Sequence, residues 1–365
     1  MQAFVQSTGE NKINVRQICF ILIAFNVCGK LLLFPNNLSY YAGNGLWLAA
    51  LIDFAVHTLS VWAAAYACSK SDKTFYQRLV ITFGKVPAKI IFSLLALLFF
   101  AAAIVPINEQ KLYVQEIFYD TIPSLIPFLP FFIFSIYAVQ KRFSNTGRAA
   151  DICFPIFIAC FLALIISSFT EINLSHLLPV FNEPINNVLK SSLSNIFRFN
   201  ESAILLAFMG HFKYKKGDCT KITLSYALGG VLVIFFCILF YCVYATLSPD
   251  QFFAVSKTSI FFSAINVIGR IDFIVLYALE IVMVFAVVLN LQLCRYCLEE
   301  ITGYKNSMVL SLAINGVLIV LTVILDHKFG ELQKLYGGVF GIIIFAAFTL
   351  LPALSLTIKK GAKNK

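Results

Sequence analysis

The sequence predicts an all-α, polytopic membrane protein, and three observations carry that reading. Of 365 residues, 60% are hydrophobic and 13% charged, whereas about a quarter of a soluble domain is charged. The mean hydropathy is +0.86. The apolar residues also fall into runs long enough to cross a bilayer core of roughly 30 Å at about 1.5 Å per residue. No polar stretch is long enough to build a soluble core, so the chain reads as one transmembrane domain. Its first apolar segment is too long for a signal-peptide core and has no small-residue cleavage site, so it is expected to stay in the mature chain. The ten cysteines lie mostly inside apolar runs and read as small hydrophobes rather than disulfides or metal ligands.

The first span, Val15 to Tyr41, is interrupted by Asn26-Val27-Cys28-Gly29-Lys30. Lys30 lies about 16 to 22 Å from either end of the run at helical rise, farther than a lysine stem can snorkel, so it needs a partner inside the protein. Gly29 weakens the helix and Asn26 can satisfy backbone groups freed by a break, so a discontinuous helix is expected here.

Gly45 to Cys68 forms the second span. The link Ser69 to Lys89 holds five cations, with Phe75, Leu79, Val80 and Phe83 on one side, the pattern of a short interfacial amphipathic helix. The third span runs from Ile90 to about Tyr119 and is kinked at Pro106, with Glu109 read as marking its outer end. Leu125 to Val139 is the fourth and Asp151 to Phe169 the fifth. A polar outer segment with one short helix, Thr170 to Leu193, follows.

The second half opens with Ile196 to Phe212, another short run, broken near Phe199-Asn200-Glu201. A basic link, Lys213 to Lys221, leads to Ile222 to Leu247. Ser248 to Arg270 is a loop, and Ile271 to Leu298, Val309 to Leu325 and Leu335 to Ile358 bring the total to ten spans. Interrupted helices opening each group of five are the sequence pointer to an inverted-repeat, LeuT-like transporter fold with its site at mid-membrane. The expected organisation is a first five-helix repeat over 1–169, an outer loop over 170–195, a second repeat over 196–358 and a basic tail over 359–365.

With the amino terminus inside, 20 of the 28 Lys and Arg fall in cytoplasmic links and ends and 7 in outer links, so both termini are expected in the cytoplasm. The net charge of +10 then belongs against anionic lipid headgroups and requires no nucleic acid.

Several stretches resemble one family. Asn26 to Pro35 followed by Tyr41-Ala42-Gly43-Asn44-Gly45-Leu46-Trp47 is the first, and Gly147-Arg148-Ala149-Ala150-Asp151-Ile152 running into Phe154-Pro155-Ile156-Phe157 is the second. Leu177-Leu178-Pro179-Val180, the Phe199-Asn200-Glu201 start of the sixth span and Gly269-Arg270-Ile271-Asp272 before the eighth follow in the same order. Together they resemble the spore germination permeases, the B-type subunits of GerA-class germinant receptors in the amino acid–polyamine–organocation superfamily, over essentially the whole chain. The resemblance implies A-type and C-type partner subunits, a small nutrient ligand such as an amino acid, and residence in the spore inner membrane. The chain departs from the family pattern where a Gly-x-Gly break gives way to Cys28 and Lys30, where Arg142 and Ser144 replace Gly-x-Glu, and where Asp151 and Asp272 stand for glutamate.

The candidate ligand-binding residues are therefore Asn26, Cys28, Gly29, Lys30 and Leu31 from the first break and Phe199, Asn200 and Glu201 from the second. Lys30 and Glu201 have an alternative reading as a structural ion pair joining the broken helices. Asp53 and His57, four apart on one helix face, read either as a proton-linked pair or as a satisfied polar contact. Glu280 is an intramembrane carboxylate that could face the site. Arg270 and Asp272 read as the start of a helix at the membrane edge, and Cys294-Arg295-Tyr296-Cys297 lacks the second ligand pair a zinc site needs. No phosphate loop or nucleophile elbow is found, so neither an enzyme nor a cofactor is expected. Two functions remain: a germinant receptor subunit, or a secondary amino acid transporter coupled to ions or protons.

Overall fold

The computed structural model describes residues 12–118, 121–169, 171–180, 182–260 and 272–357. Arg270, the side chain of Asp272 and the tail 359–365 lie outside the described residues. The helices are α1 Val15–Phe20, α2 Asn26–Cys28, α3 Phe34–Ala42, α4 Leu46–Ser69, α5 Phe75–Phe83, α6 Lys85–Phe118, α7 Leu125–Val139 and α8 Phe143–Ser168. In the second half they are α9 Ile185–Asn195, α10 Glu201–Ala207, α11 Asp218–Tyr244, α12 Ala254–Ser259, α13 Asp272–Thr302, α14 Ser307–Ile324, α15 Phe329–Tyr336 and α16 Val339–Thr357.

Among the described residues, seven helical segments are long and apolar enough to cross a membrane, and Val15–Cys28 and Leu125–Val139 are shorter apolar helices. The spans that fall short of that length are the fourth and the two expected to be broken. The protein is a multi-pass membrane protein.

The first span is interrupted in two ways. Residues Ile21–Phe25 form a π-helical turn, and the helix ends at Cys28, so the open stretch is Gly29–Leu33 rather than Asn26–Lys30. Pro35 then stands in the first turn of α3, where a missing backbone donor costs nothing. The break must satisfy its freed carbonyls internally. One of them, Leu32 O, accepts from the backbone N–H of Ala254, the first residue of α12, at 2.8 Å. The segment expected as a loop after the seventh span therefore sends a buried short helix against the break.

The sixth span is longer than its apolar run suggests. Helix α9 packs on α3 and α4 and continues through a 3₁₀ turn, Ile196–Arg198, to the break at Phe199 and Asn200. It is the short helix expected between Thr170 and Leu193, and it leads directly into the broken helix. Three other boundaries differ. Helix α6 begins at Lys85, ahead of Ile90. Helix α8 begins at Phe143, eight residues ahead of Asp151. Leu335 and Tyr336 end the separate helix α15, so the last span starts at Val339.

Helix α5 is the amphipathic link helix, opened by a capping box in which Thr74 and Gln77 satisfy each other's backbone donors. Its Arg78 is buried and donates to Ala67 O at 3.1 Å and Ser355 O at 3.0 Å. Gly210, at φ +82°, lies close against Thr74, and Ile13 N donates to His211 O at 3.0 Å. Both described ends of the chain thus share one face of the bundle with α5. At the start of the chain, Arg16 and Gln17 both donate to Asp151, at 3.0 and 2.7 Å, which ties the first span to the fifth. The core is formed chiefly where α13 packs on α6 and α11 packs on α4.

Candidate functional site

The two breaks face each other in the middle of the bundle. Lys30, carried into the interior by the end of α2, donates from Nζ to Glu201 Oε1 at 2.6 Å and to Asn26 Oδ1 at 2.5 Å. Its Nζ also sits 4.5 Å from the centroid of the Phe199 ring, a contact in which a desolvated cation is attracted to the ring face. Glu201 is the first residue of α10, and its other oxygen lies 3.3 Å from His57 Nε2. The same imidazole nitrogen is 3.5 Å from the backbone N–H of Ser202. All of these side chains are buried, so the charges are matched against each other rather than against water.

Beside this pair lies a cavity of about 80 Å³, where a single water needs about 10–15 Å³ of such space. Its wall runs from the first span (Ile21, Leu22, Phe25) across α6 (Ala102, Pro106) to α13 (Ala286, Val287). Pro106 removes a donor from the α6 ladder at this wall. A second ion pair also borders the cavity. Arg198, just before the sixth-span break, grips Glu109 of α6 with two hydrogen bonds of 2.9 and 2.5 Å. Glu109 therefore does not mark the end of the third span. Helix α6 continues to Phe118, more than two turns further at about 3.6 residues per turn, and Glu109 is 1% exposed.

Of the sequence-predicted residues, Asn26, Cys28, Gly29, Lys30, Asn200 and Glu201 line the cavity. Asn200 also donates to Asn290 of α13 at 2.7 Å. Leu31 and Phe199 do not line it. Both are fully buried, Phe199 between Lys30 and the rings of Phe34, Phe54 and His57. Asp53 and His57 lie behind the pair rather than on the cavity, and they do not bond to each other. Asp53 accepts from Ser192 of α9, and His57 turns to Glu201. Glu280 is buried on α13 off the cavity wall, with no hydrogen-bond partner for either oxygen among the described residues. The residues that sequence reasoning missed are Arg198, Gln110 and Asn290, together with the cavity position of Glu109.

The arrangement has two opposed charge pairs, a set of side-chain amides and apolar walls. It can take a small molecule with a positive and a negative end and an apolar remainder.

Comparison with known proteins places this geometry. The fold is the LeuT-like transporter fold. The crystal structure of MhsT in complex with L-phenylalanine superposes with a TM-score of 0.65 at 16% identity, covering 93% of this chain and 87% of that one. Mhp1, a nucleobase-cation-symport-1 family transporter captured closed with bromovinylhydantoin bound, superposes with a TM-score of 0.54 at 10% identity, over 97% and 95% of the two chains. In sequence, Spore germination protein KB of Bacillus subtilis (strain 168) is 27% identical over 233 residues, which span 61% of this chain and 60% of that protein's length. The family model for spore germination proteins matches residues 12–329, taking in both breaks and both ion pairs. The chain belongs to the spore germination protein family.

Proposed function

We propose that this chain is the ligand-sensing membrane subunit of a spore germinant receptor, and that its ligand is a small amino acid with an uncharged, apolar side chain. One observation carries this reading. The cavity lies between the two helix breaks and beside the Lys30–Glu201 pair, with Ile21, Leu22 and Phe25 forming an apolar side and the second charge pair, Arg198–Glu109, also on its border. In this reading the ligand inserts between the pair: its carboxylate takes Lys30, its ammonium takes Glu201, and its side chain lies against Ile21, Leu22 and Phe25. Asn26 and His57 hold the two protein charges in place during the exchange. A charged side chain is disfavoured because the other cation at the cavity, Arg198, is already held by Glu109.

The membrane is the spore inner membrane, with both termini cytoplasmic, as the excess of Lys and Arg on the terminus side supports. Output passes to A-type and C-type partner subunits. The links of this chain are too short to hold a docking domain, and the one that carries α5 is packed against the end of α10, the helix that begins with Glu201.

A secondary amino acid transporter would use the same fold and pocket, and the two readings differ in whether the bound molecule crosses the membrane. Spores lacking this chain, exposed to single nutrients, test the receptor reading by losing the response to one amino acid. Membrane vesicles containing this chain alone test the transporter reading. Concentrative uptake of that amino acid by them would replace the receptor with the transporter.

A further inference from the structure

Outside the bundle core, the link between the second and third spans holds an open groove of about 450 Å³, lined by Lys73, Tyr76, Gln77, Val80, Ile81 and Lys85. That volume lies within the roughly 300–1,000 Å³ of small-ligand clefts. Its chemistry is divided: two lysines, two aliphatic side chains, a phenol and an amide. Neither lysine has an ion-pair partner among the described residues. Asp72, the only acidic residue between 69 and 89, does not line the groove. The apolar side continues toward the third span through Ile81, Phe83, Val86 and Ile90, which are 46, 48, 70 and 65% exposed.

We propose that this groove binds one anionic phospholipid, with the headgroup phosphate held by Lys73 and Lys85 and an acyl chain running along Val80 and Ile81. Cations and apolar side chains together at the interface are the recognition elements for such a lipid. The chain's own tail is a poor occupant on charge grounds, because residues 359–365 carry four lysines and no acidic side chain. The first eleven residues carry a single carboxylate, Glu10, too little to balance two lysines. A lipid here would act on the ligand site through a short path. The opposite face of α5 is fixed by Arg78, which donates to Ser355 O and to Met209 Sδ, and Gly210 abuts Thr74. Met209 and Gly210 follow α10, whose first residue is Glu201. Headgroup binding by Lys73 and Lys85, which flank α5, would steady the segment that holds one end of the buried ion pair.

The test uses the purified full chain and native mass spectrometry, with phosphatidylglycerol and phosphatidylcholine as probes at equal concentration. One tightly held phosphatidylglycerol per chain is expected, preferred by roughly tenfold or more. The double change Lys73→Gln with Lys85→Gln should abolish the preference. Lys70→Gln with Lys89→Gln, which removes the same charge outside the groove, should leave it intact. Melting in phosphatidylcholine alone shows whether each variant is folded, and the single changes Lys73→Gln and Lys85→Gln report the same effect should the double variant not fold. Equal retention of the two lipids overturns the proposal, as does equal loss of preference in both double variants, which would indicate diffuse surface attraction. Displacement of the lipid by millimolar inorganic phosphate overturns it in favour of a free-anion site.

Discussion

Arg198 and Glu109 meet at the border of the cavity through two hydrogen bonds, 2.9 and 2.5 Å long, and are 89 residues apart in sequence. This fork joins the first half of the sixth span to the third span one residue before the backbone opens at Phe199. Both side chains are almost completely buried, at 4 and 1% exposure. Removing one partner of such a pair leaves an uncompensated charge and costs on the order of 3–5 kcal/mol. Arg198→Met or Glu109→Gln should therefore lower the amount of folded chain in the membrane. Arg198→Lys should rescue little, because an ammonium cannot reproduce the planar fork. The double change Arg198→Met with Glu109→Met should restore abundance, and its failure to do so would show that the pair is not an isolated structural unit.

Gly210 separates steric from conformational cost at the α5 seam. At φ +82° an alanine is strained by about 1–2 kcal/mol, and its Cβ would also stand 2.8 Å from the backbone nitrogen of Thr74. Gly217, at φ +93°, has nothing within 4 Å of the same added atom. Gly210→Ala should thus lower the melting temperature of the purified chain clearly more than Gly217→Ala. Equal losses would mean that α5 does not bear on the end of α10.

Much of the fold was legible because the lipid solvent leaves few options. Lys30 stood out as a charge too deep to reach water, and the interrupted run at Glu201 offered the only similar feature half a chain away. The fourth span, Leu125–Val139, matches to the residue because both of its ends are polar. What could not be read was any element whose buried face is narrow. Helix α9 reads as Ile-Asn-Asn-Val-Leu-Lys-Ser-Ser-Leu-Ser-Asn, which resembles a loop. It becomes part of the sixth span because Ser191 and Ser192 find partners in Leu38 O and Asp53. The first turns of α8 likewise looked like a polar link until Thr146 met Gln292 at 2.6 Å. Arg198 was missed because it stands third in the expected sixth span, Ile196 to Phe212, at the edge where a cation reads as a flank facing the headgroups.

Topology gives a direct test. Lys216 is exposed on the link that follows α10, and the proposed orientation places that link in the cytoplasm. Cys19 and Cys219 are the cysteines that are not fully buried, so both should first be changed to serine. With Lys216→Cys added, an impermeant maleimide should label the chain only after right-side-out vesicles are opened. Labelling of intact vesicles would reverse the proposed orientation.

Partner dependence follows from the short links. Deleting the proposed A-type and C-type partner subunits should abolish the response to the nutrient while leaving the chain folded in the membrane at an undiminished level. A full response from this chain alone would refute the subunit reading.

The sharpest test concerns Lys30 and Glu201. A cation and carboxylate at about 4 Å attract by on the order of 4 kcal/mol at an effective dielectric near 20, before desolvation is subtracted. A zwitterion inserted between them replaces one such contact by two, so each residue should matter for sensitivity. Lys30→Met keeps most of the stem's volume and Glu201→Gln keeps the carboxylate's shape. Neither leaves its former partner bare, because Lys30 also donates to Asn26 and Glu201 also approaches His57. Each single change should therefore raise the required germinant concentration at least roughly tenfold, about 1.4 kcal/mol, with protein level unchanged. A purely structural pair predicts the opposite pattern: each single change lowers abundance, and the double change recovers both abundance and response. Normal nutrient sensitivity in the Lys30→Met, Glu201→Gln double variant would end the ligand-binding reading of this pair.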